Sequence, residues 1–383
     1  MNPRGGWGAA ISNPMRDRTR VIRAGLSASS QGAAFLSGPT FAGPFYAAGD
    51  PSSSPYTYGR FHNPTWARYE KALSDLEGGE AISFASGMAA IAAIFGAVLR
   101  PGETLVMPSD SYYTARKLAG GYLRDMGVTV KEAPTAGNRQ REHLEGTKLL
   151  WLESPSNPGL DVCDIAEMAA LAHQAGVLVA VDNTTATALG QSPLALGADF
   201  SVASDTKALT GHADLILGHV AVREKSWAEK IRTWRTQNGS IPGPMEVWLA
   251  HRSLGTLALR LETQCQNALG IAEYLSKRPG VAGLRYPGLK TDPAHEIASR
   301  QMNYFGPVVS FVLRDKERAE TFLKSCRLII EATSFGSIHT TAERRARWAG
   351  DVVPEGFIRL SVGCEDVDDL ISDLSQALDR ADG

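Results

Sequence analysis

Between Lys148 and Asp182 the order of apolar runs, turn residues and a helix start leaves few ways to fold. The apolar run Leu149–Leu152 is followed by the loop Ser154-Pro-Ser-Asn-Pro-Gly159. Asp164 and Glu167 then stand at capping-box spacing and open a predicted helix to about Ala175, which Gly176 ends. A second apolar run, Val177–Val181, comes next. Two strands separated by one helix must lie parallel, with a right-handed crossover. The chain is therefore expected to be α/β, built on a largely parallel sheet.

The remaining pattern extends that frame. A helix is predicted over Thr65–Leu76, stopped by Gly78-Gly79, with strands at Thr104–Met107 and Phe200–Ala203. Asn238–Pro244 reads as a linker, after which a long linking helix is expected over 244–278, with Pro244 at its first position and Pro279-Gly280 beyond its end. Strands at Val308–Leu313 and Phe357–Val362, a helix near Arg318–Lys324 and a last helix from about Val367 follow. A chain of 383 residues exceeds one ordinary core. Three parts are expected: an extended N-terminal arm over 1–50, rich in Gly, Ser, Pro and Ala and suited to contact a neighbouring subunit; a large domain over 51–243; and a small C-terminal domain over 244–383.

Composition excludes several classes. Net charge is −2 with no block of like charges, so neither nucleic acid nor a polybasic membrane contact is expected. Ala81–Leu99 is uncharged but rich in small residues and reads as a buried strand–turn–helix, not a membrane span. Met1–Arg23 lacks the apolar stretch of a secretory signal, so a cytoplasmic protein is expected. The four cysteines are scattered without a C-x-x-C pair, as reduced thiols would be, and no metal site is expected.

Three segments carry chemistry. In Ser204-Asp-Thr-Lys207-Ala-Leu-Thr-Gly-His212 a lysine after a strand follows two hydroxyls at alternate positions. The amine can form an imine with a phosphorylated aldehyde while Ser204 and Thr206 reach its phosphate. Alone, such a lysine is ordinarily a solvated surface residue. Asp182 closes the second strand of the βαβ unit, facing the crevice where α/β sheets bind ligands. A carboxylate there would keep a pyridine nitrogen protonated, although a helix cap or a metal ligand is the plainer reading. Phe84-Ala-Ser86-Gly87-Met88-Ala-Ala-Ile91 is a small-residue turn opening a helix, able to offer backbone N–H groups to an anion or simply to turn the chain.

These segments occur in one order with Tyr58-Gly-Arg60, Tyr112, Asn157-Pro158 and Phe357-Ile-Arg359-Leu-Ser361. From about Tyr56 to its end the chain resembles the trans-sulfuration family of pyridoxal 5′-phosphate (PLP) enzymes, most closely its actinobacterial cystathionine γ-lyases. The resemblance implies fold type I, aspartate-aminotransferase-like, with a mostly parallel seven-stranded sheet and a smaller C-terminal α/β domain. Lys207 would carry PLP as a Schiff base and later move protons. Asp182 would pair with the ring nitrogen and Tyr112 would stack on the ring. Ser86, Gly87, Met88, Ser204 and Thr206 would hold the phosphate. Tyr58 and Arg60 would complete that site in a neighbouring subunit, implying a homo-oligomer, a dimer of dimers. Arg359 would bind the substrate α-carboxylate, assisted by Asn157 and Ser334.

Three departures bear on the substrate. The segment 110–114 looks one residue short, making Tyr113 the alternative to Tyr112. His339 stands where several γ-acting relatives carry a glutamate, near the distal end of the substrate. Glu343-Arg-Arg-Ala-Arg347-Trp348 is more basic than the family's usual sequence. Methionine γ-lyases use a cysteine near the stacking tyrosine, and no cysteine precedes Leu160. The expectation is γ-elimination from a thioether amino acid such as cystathionine. γ-Replacement, another eliminating lyase and a non-catalytic fold relative remain the alternatives.

Overall fold

The computed structural model describes residues 15–26 and 30–382. Seven strands form the first sheet: β1 (Glu80–Phe84), β2 (Thr104–Pro108), β3 (Thr129–Ala133), β4 (Leu149–Glu153), β5 (Leu178–Asp182), β6 (Phe200–Ala203) and β7 (Gly218–Val222). Their order is β1-β7-β6-β5-β4-β2-β3. The run from β6 to β3 is parallel, and β7 lies antiparallel to both β6 and β1. Strands β4 and β5 are buried almost throughout, as a sheet covered on both faces requires. On one face Ile91, Ile94 and Phe95 of the helix Gly87–Val98 pack against Ile82, Trp151 and Phe200. On the other, Ile165, Met168 and Ala172 of the helix Ile165–Gln174 meet Leu150, Leu152 and Val179.

The βαβ unit folds as its sequence predicts, with one difference at the helix start. Asp164 accepts from the Glu167 N–H at 3.0 Å. The Glu167 carboxylate does not return the bond: it accepts from Asn138 Nδ2 at 2.6 Å, and Asn138 Oδ1 takes the Asp164 N–H instead. A residue from another turn completes the box.

A second sheet holds β8 (Ala282–Arg285), β9 (Val308–Val312), β10 (Ile330–Glu331), β11 (Thr341–Arg344) and β12 (Phe357–Ser361), in the order β10-β11-β12-β9-β8. The helices Leu257–Leu275, Lys316–Ser325 and Val367–Asp382 cover it around Phe311, Phe322, Leu360 and Leu374.

Two expectations need correction. The continuous helix over 244–278 is two helices, Pro244–Leu254 and Leu257–Leu275. The Ser253 carbonyl accepts from Thr256 N and from Arg260 Nη2, so the regular ladder is interrupted there. Arg260 also donates to the carbonyls of Ala208 and Leu209, tying this junction to the turn that follows Lys207. The arm is not wholly extended either. Asp17–Arg23 is a helix, and Val21 and Ala24 are buried against Trp66 and Leu73 of the same chain. The rest of the arm call at 1–14 and 27–29 lies outside the described residues. Among the described residues, no helix is long and apolar enough to cross a membrane. The Ala81–Leu99 stretch is β1 and the helix after it.

Candidate active site

The C-terminal ends of β4, β5 and β6 reach one edge of the first sheet, the place where parallel sheets leave a crevice. A cavity of about 430 Å³ opens there and extends to the second sheet. Lys207 and Asp182 line it from the first sheet, Arg359 from β12 of the second.

Lys207 follows β6 in a turn held by Arg260 and by the Gly211 N–H bond to the Lys207 carbonyl. Gly211 has φ +70°, and a Cβ there would lie 1.9 Å from Arg260 Nη1, so the turn needs glycine. Nζ of Lys207 donates to Ser334 Oγ at 2.6 Å and stands 5.3 Å from the Phe335 ring centre. Burial, with Arg359 nearby, lowers its pKa to about 8. About a tenth of the amine is thus uncharged at pH 7, far more than in an ordinary lysine, and that is the form that attacks an aldehyde.

Asp182 and Glu153 are paired across the register of β5 and β4, and both are buried. Burial raises both pKa values, and Asp182 raises that of Glu153 further. The Thr184 N–H donates to Asp182 at 3.0 Å, while Tyr112 and Asn157 N–H groups donate to Glu153 at 2.7 and 2.9 Å. Among the described residues, no basic side chain forms an ion pair with either carboxylate. Two buried carboxylates side by side favour a cation from outside the protein, as a protonated ring nitrogen supplies. Glu153 was not singled out from the sequence, although it ends the strand next to the one Asp182 ends.

The helix Gly87–Val98 points its N-terminus into the same cavity. Ser86 caps it by accepting from the Ala89 N–H at 3.0 Å. The Gly87 and Met88 N–H groups have no place in the helical ladder and remain for an anion. A Cβ on Gly87 would lie 2.7 Å from Ser204 Cβ. Only glycine lets the helix start approach the Ser204 loop so closely. The Thr206 hydroxyl donates to the Leu217 carbonyl at 3.1 Å and accepts from the Leu217 N–H at 3.0 Å, so its hydrogen is already committed. Helix N-terminus, glycine cradle, a carboxylate pair without a basic side chain beside it and a low-pKa lysine together fit PLP.

Tyr112 and Tyr113 both line the cavity with rings edge to face, 5.6 Å apart. Tyr113 is covered on one side by Gly350. Arg359 is buried; Nη1 donates to Asn157 Oδ1 at 2.7 Å, and Nη2 to the Ser334 carbonyl at 2.8 Å and to Glu343 Oε1 at 2.5 Å. Ser334 has φ +79°, which aims its carbonyl at Arg359. His339 stands apart: it is exposed on an adjoining cavity of about 900 Å³, which shares Thr206, Ser334 and Phe335 with the first and contains no lysine or arginine. Tyr58 and Arg60 also lie outside the lysine cavity; Arg60 donates to the Thr236 carbonyl at 2.9 Å, and Tyr58 is 45% exposed. Arg345 and Trp348, which line the cavity beside Arg359, were noted in the sequence only as a basic departure.

Fold and site together define a PLP-dependent enzyme of fold type I. The sequence profile of the family described as Cys/Met metabolism PLP-dependent enzyme matches residues 32–379. A Streptomyces coelicolor protein, provisionally named a cystathionine gamma-lyase, is 55% identical over 369 residues, covering 95% of this chain and 94% of its own. The cystathionine beta-lyase of Coxiella burnetii is 38% identical over 94% of this chain and 97% of its own. The crystal structure of cystathionine gamma synthase from Xanthomonas oryzae pv. oryzae, in complex with aminoacrylate and cysteine, superposes with a TM-score of 0.92 at 32% identity, covering 97% of this chain and 99% of that one. The chain belongs to the Cys/Met metabolism family of PLP-dependent enzymes, and its cofactor is PLP.

Proposed function

We propose that the protein is a carbon–sulfur lyase that cleaves L-cystathionine by γ-elimination, giving cysteine, 2-oxobutyrate and ammonia with the uptake of one water. The observation that carries the reading is the meeting of Lys207, Asp182 and Arg359 around one cavity, with room for an amino acid between the two sheets. PLP, when bound, supplies the electron sink for charge that develops at Cα.

The residues divide the remaining work. Gly87, Met88, Ser86 and Ser204 would hold the phosphate from the helix end, with Thr206 bracing the loop through Leu217. Asp182 would keep a proton on the ring nitrogen, and Tyr112 would cover the ring. Lys207 would hold the cofactor through its amine, and in the presence of substrate the free Nζ would take the Cα proton. Arg359, with Asn157 and Ser334 fixing its plane, binds the α-carboxylate and so aims Cα at Nζ. Nζ, once it has given up the first proton, would take a second from Cβ as the Cγ–S bond breaks, and Tyr112 would give a proton to the departing sulfur. Tyr58 and Arg60 serve the phosphate of a neighbouring copy in a homotetramer, which accounts for their standing outside the lysine cavity of their own chain.

Relatives named for lyase and synthase activities match this chain about equally well below the first, so the reaction is tested directly. Purified enzyme is given cystathionine, methionine, and an O-acylhomoserine with cysteine, while keto acid and thiol are followed. Cystathionine should release 2-oxobutyrate and cysteine in equal amounts with the highest kcat/KM. Faster formation of cystathionine from the acylhomoserine would replace the lyase reading with γ-replacement. Pyruvate with homocysteine would make it β-elimination.

A further inference from the structure

Arg359 meets more carboxylate chemistry than its proposed substrate brings. A guanidinium offers two fork edges to a carboxylate, Nη1 with Nη2 and Nε with Nη2, and both need a hydrogen of Nη2. Nη2 carries two hydrogens, and two acceptors take them: the Ser334 carbonyl at 2.8 Å and Glu343 Oε1 at 2.5 Å. Nη1 is engaged as well, with Asn157 Oδ1 at 2.7 Å. Neither edge is free. An incoming carboxylate must therefore displace one of the two Nη2 acceptors.

The Ser334 carbonyl is fixed in the main chain at a positive φ, between Thr333 and the buried Phe335. Glu343 is a side chain with other support. Its Oε1 also accepts from Arg345 Nη1 at 2.7 Å, and its Oε2 accepts from Arg347 Nη2 at 3.0 Å and Trp348 Nε1 at 2.8 Å. Thr333 Oγ1 lies 3.3 Å from Oε1. Losing Arg359 would leave the carboxylate with four donors, so it can let go without being stranded as a buried unpaired charge. The register explains why it is there at all: Glu343 on β11 faces Arg359 on β12 directly across the sheet.

We propose that Glu343 is a placeholder for the substrate α-carboxylate: it occupies the binding edge of Arg359 in the resting enzyme and yields it to the substrate by shifting onto Arg345, Arg347 and Trp348. Glu343 is thus a positioning residue whose competition sets affinity for carboxylate ligands. It keeps the buried guanidinium charge paired between turnovers, at some cost in affinity for carboxylate ligands. The inference rests on Arg359 being the α-carboxylate site.

The test uses the PLP-loaded enzyme and two probes, glycine and glycinamide, whose binding is read from the change in cofactor absorbance. Glu343→Gln keeps the shape and an acceptor oxygen but removes the charge that competes. Its glycine affinity should rise about fivefold relative to glycinamide, the difference between a charged and a neutral acceptor, and KM for the preferred amino acid should fall in step. A merely structural role predicts the opposite, a disordered Arg359 and weaker glycine binding, and an unchanged ratio would equally overturn the proposal. Should the buried amide unsettle the fold, Glu343→Asp serves instead, since it keeps the charge but draws the carboxylate back from Arg359; the same rise is expected, and its absence sinks the idea. Arg359→Ala separates the two claims. If that change leaves the glycine-to-glycinamide ratio untouched, the carboxylate binds elsewhere and the site reading fails. If it collapses the ratio while the Glu343 variants do not raise it, only the placeholder fails.

Discussion

The amine at position 207 carries two expectations that can be measured apart. Lys207→Ala should keep its fold, lose the covalent link to PLP and lose turnover by roughly a thousandfold or more, the scale of a missing general base and nucleophile. Wild-type rates in that variant would refute the assignment. In the cofactor-free protein the same amine affects stability. Its pKa falls from the usual 10.5 to about 8, chiefly through burial. Between those values the unfolded chain binds the extra proton, so wild-type stability should rise with pH from about 8 to 10.5. Urea melts across that window should show a shallower rise for Lys207→Ala, and equal slopes would contradict the lowered pKa. Arg359→Lys should raise KM on the order of a hundredfold, because an ammonium cannot form the two-bond contact. Asp182 drew notice in the sequence because it closes a strand of the βαβ unit, whereas Lys207, in the turn after β6, and Arg359, in the middle of β12, were singled out chiefly through the family resemblance. Glu153 gave the same signal and was passed over. Glu343 gave none: its meaning arises only when β11 pairs with β12.

At the scale of elements, the helix Gly87–Val98 depends on how near it can come to its neighbours. Gly218 at the start of β7 would put a Cβ 2.6 Å from the Gly87 nitrogen, and Gly87 would put one 2.7 Å from Ser204 Cβ. The two glycines let strand, loop and helix end converge at one place. Gly87→Ala should push Ser204 away and weaken PLP retention about tenfold, a cost of the order of overpacking a tight contact. Equilibrium dialysis against PLP measures it, and unaltered retention would mean that the phosphate sits away from the helix end. Periodicity predicted this helix and the βαβ unit because both obey local rules. It missed the break after Leu254, where Gly255 itself is right-handed helical and gives no sign of a stop. The break comes from Arg260 reaching back to Ser253 and across to the Lys207 turn, a contact that spans about 50 residues.

Across the whole molecule, the cofactor edge is joined to the outer helix layer by a buried polar chain that no local pattern announces. His219 on β7 is fully buried, with Nδ1 2.5 Å from Asp205 Oδ1 and Nε2 3.1 Å from Glu77 Oε1. Tyr69 donates to Asp205 Oδ2 at 2.8 Å. Glu77 and Tyr69 belong to the helix Pro64–Glu77, whereas Asp205 lies between Ser204 and Thr206 in the loop after β6. Burial alone would drive His219 to the neutral form, but Asp205 and Glu77 outweigh it and lift its pKa to about 10. A group raised in this way stabilises the fold fully below its unfolded pKa of 6.5, and the contribution drains away as pH climbs through about 10. His219→Ala removes the one cation between two buried carboxylates, which should cost about 3–5 kcal/mol near pH 7. The difference from wild type should then shrink as pH approaches and passes 10. Because Asp205 would be freed beside the proposed phosphate loop, PLP should also be held less tightly. Denaturant unfolding at several pH values gives the first quantity and cofactor dialysis the second. A loss under about 0.5 kcal/mol, the range of an unremarkable surface change, would mean that the chain of charges is not what braces the cofactor edge against the helices.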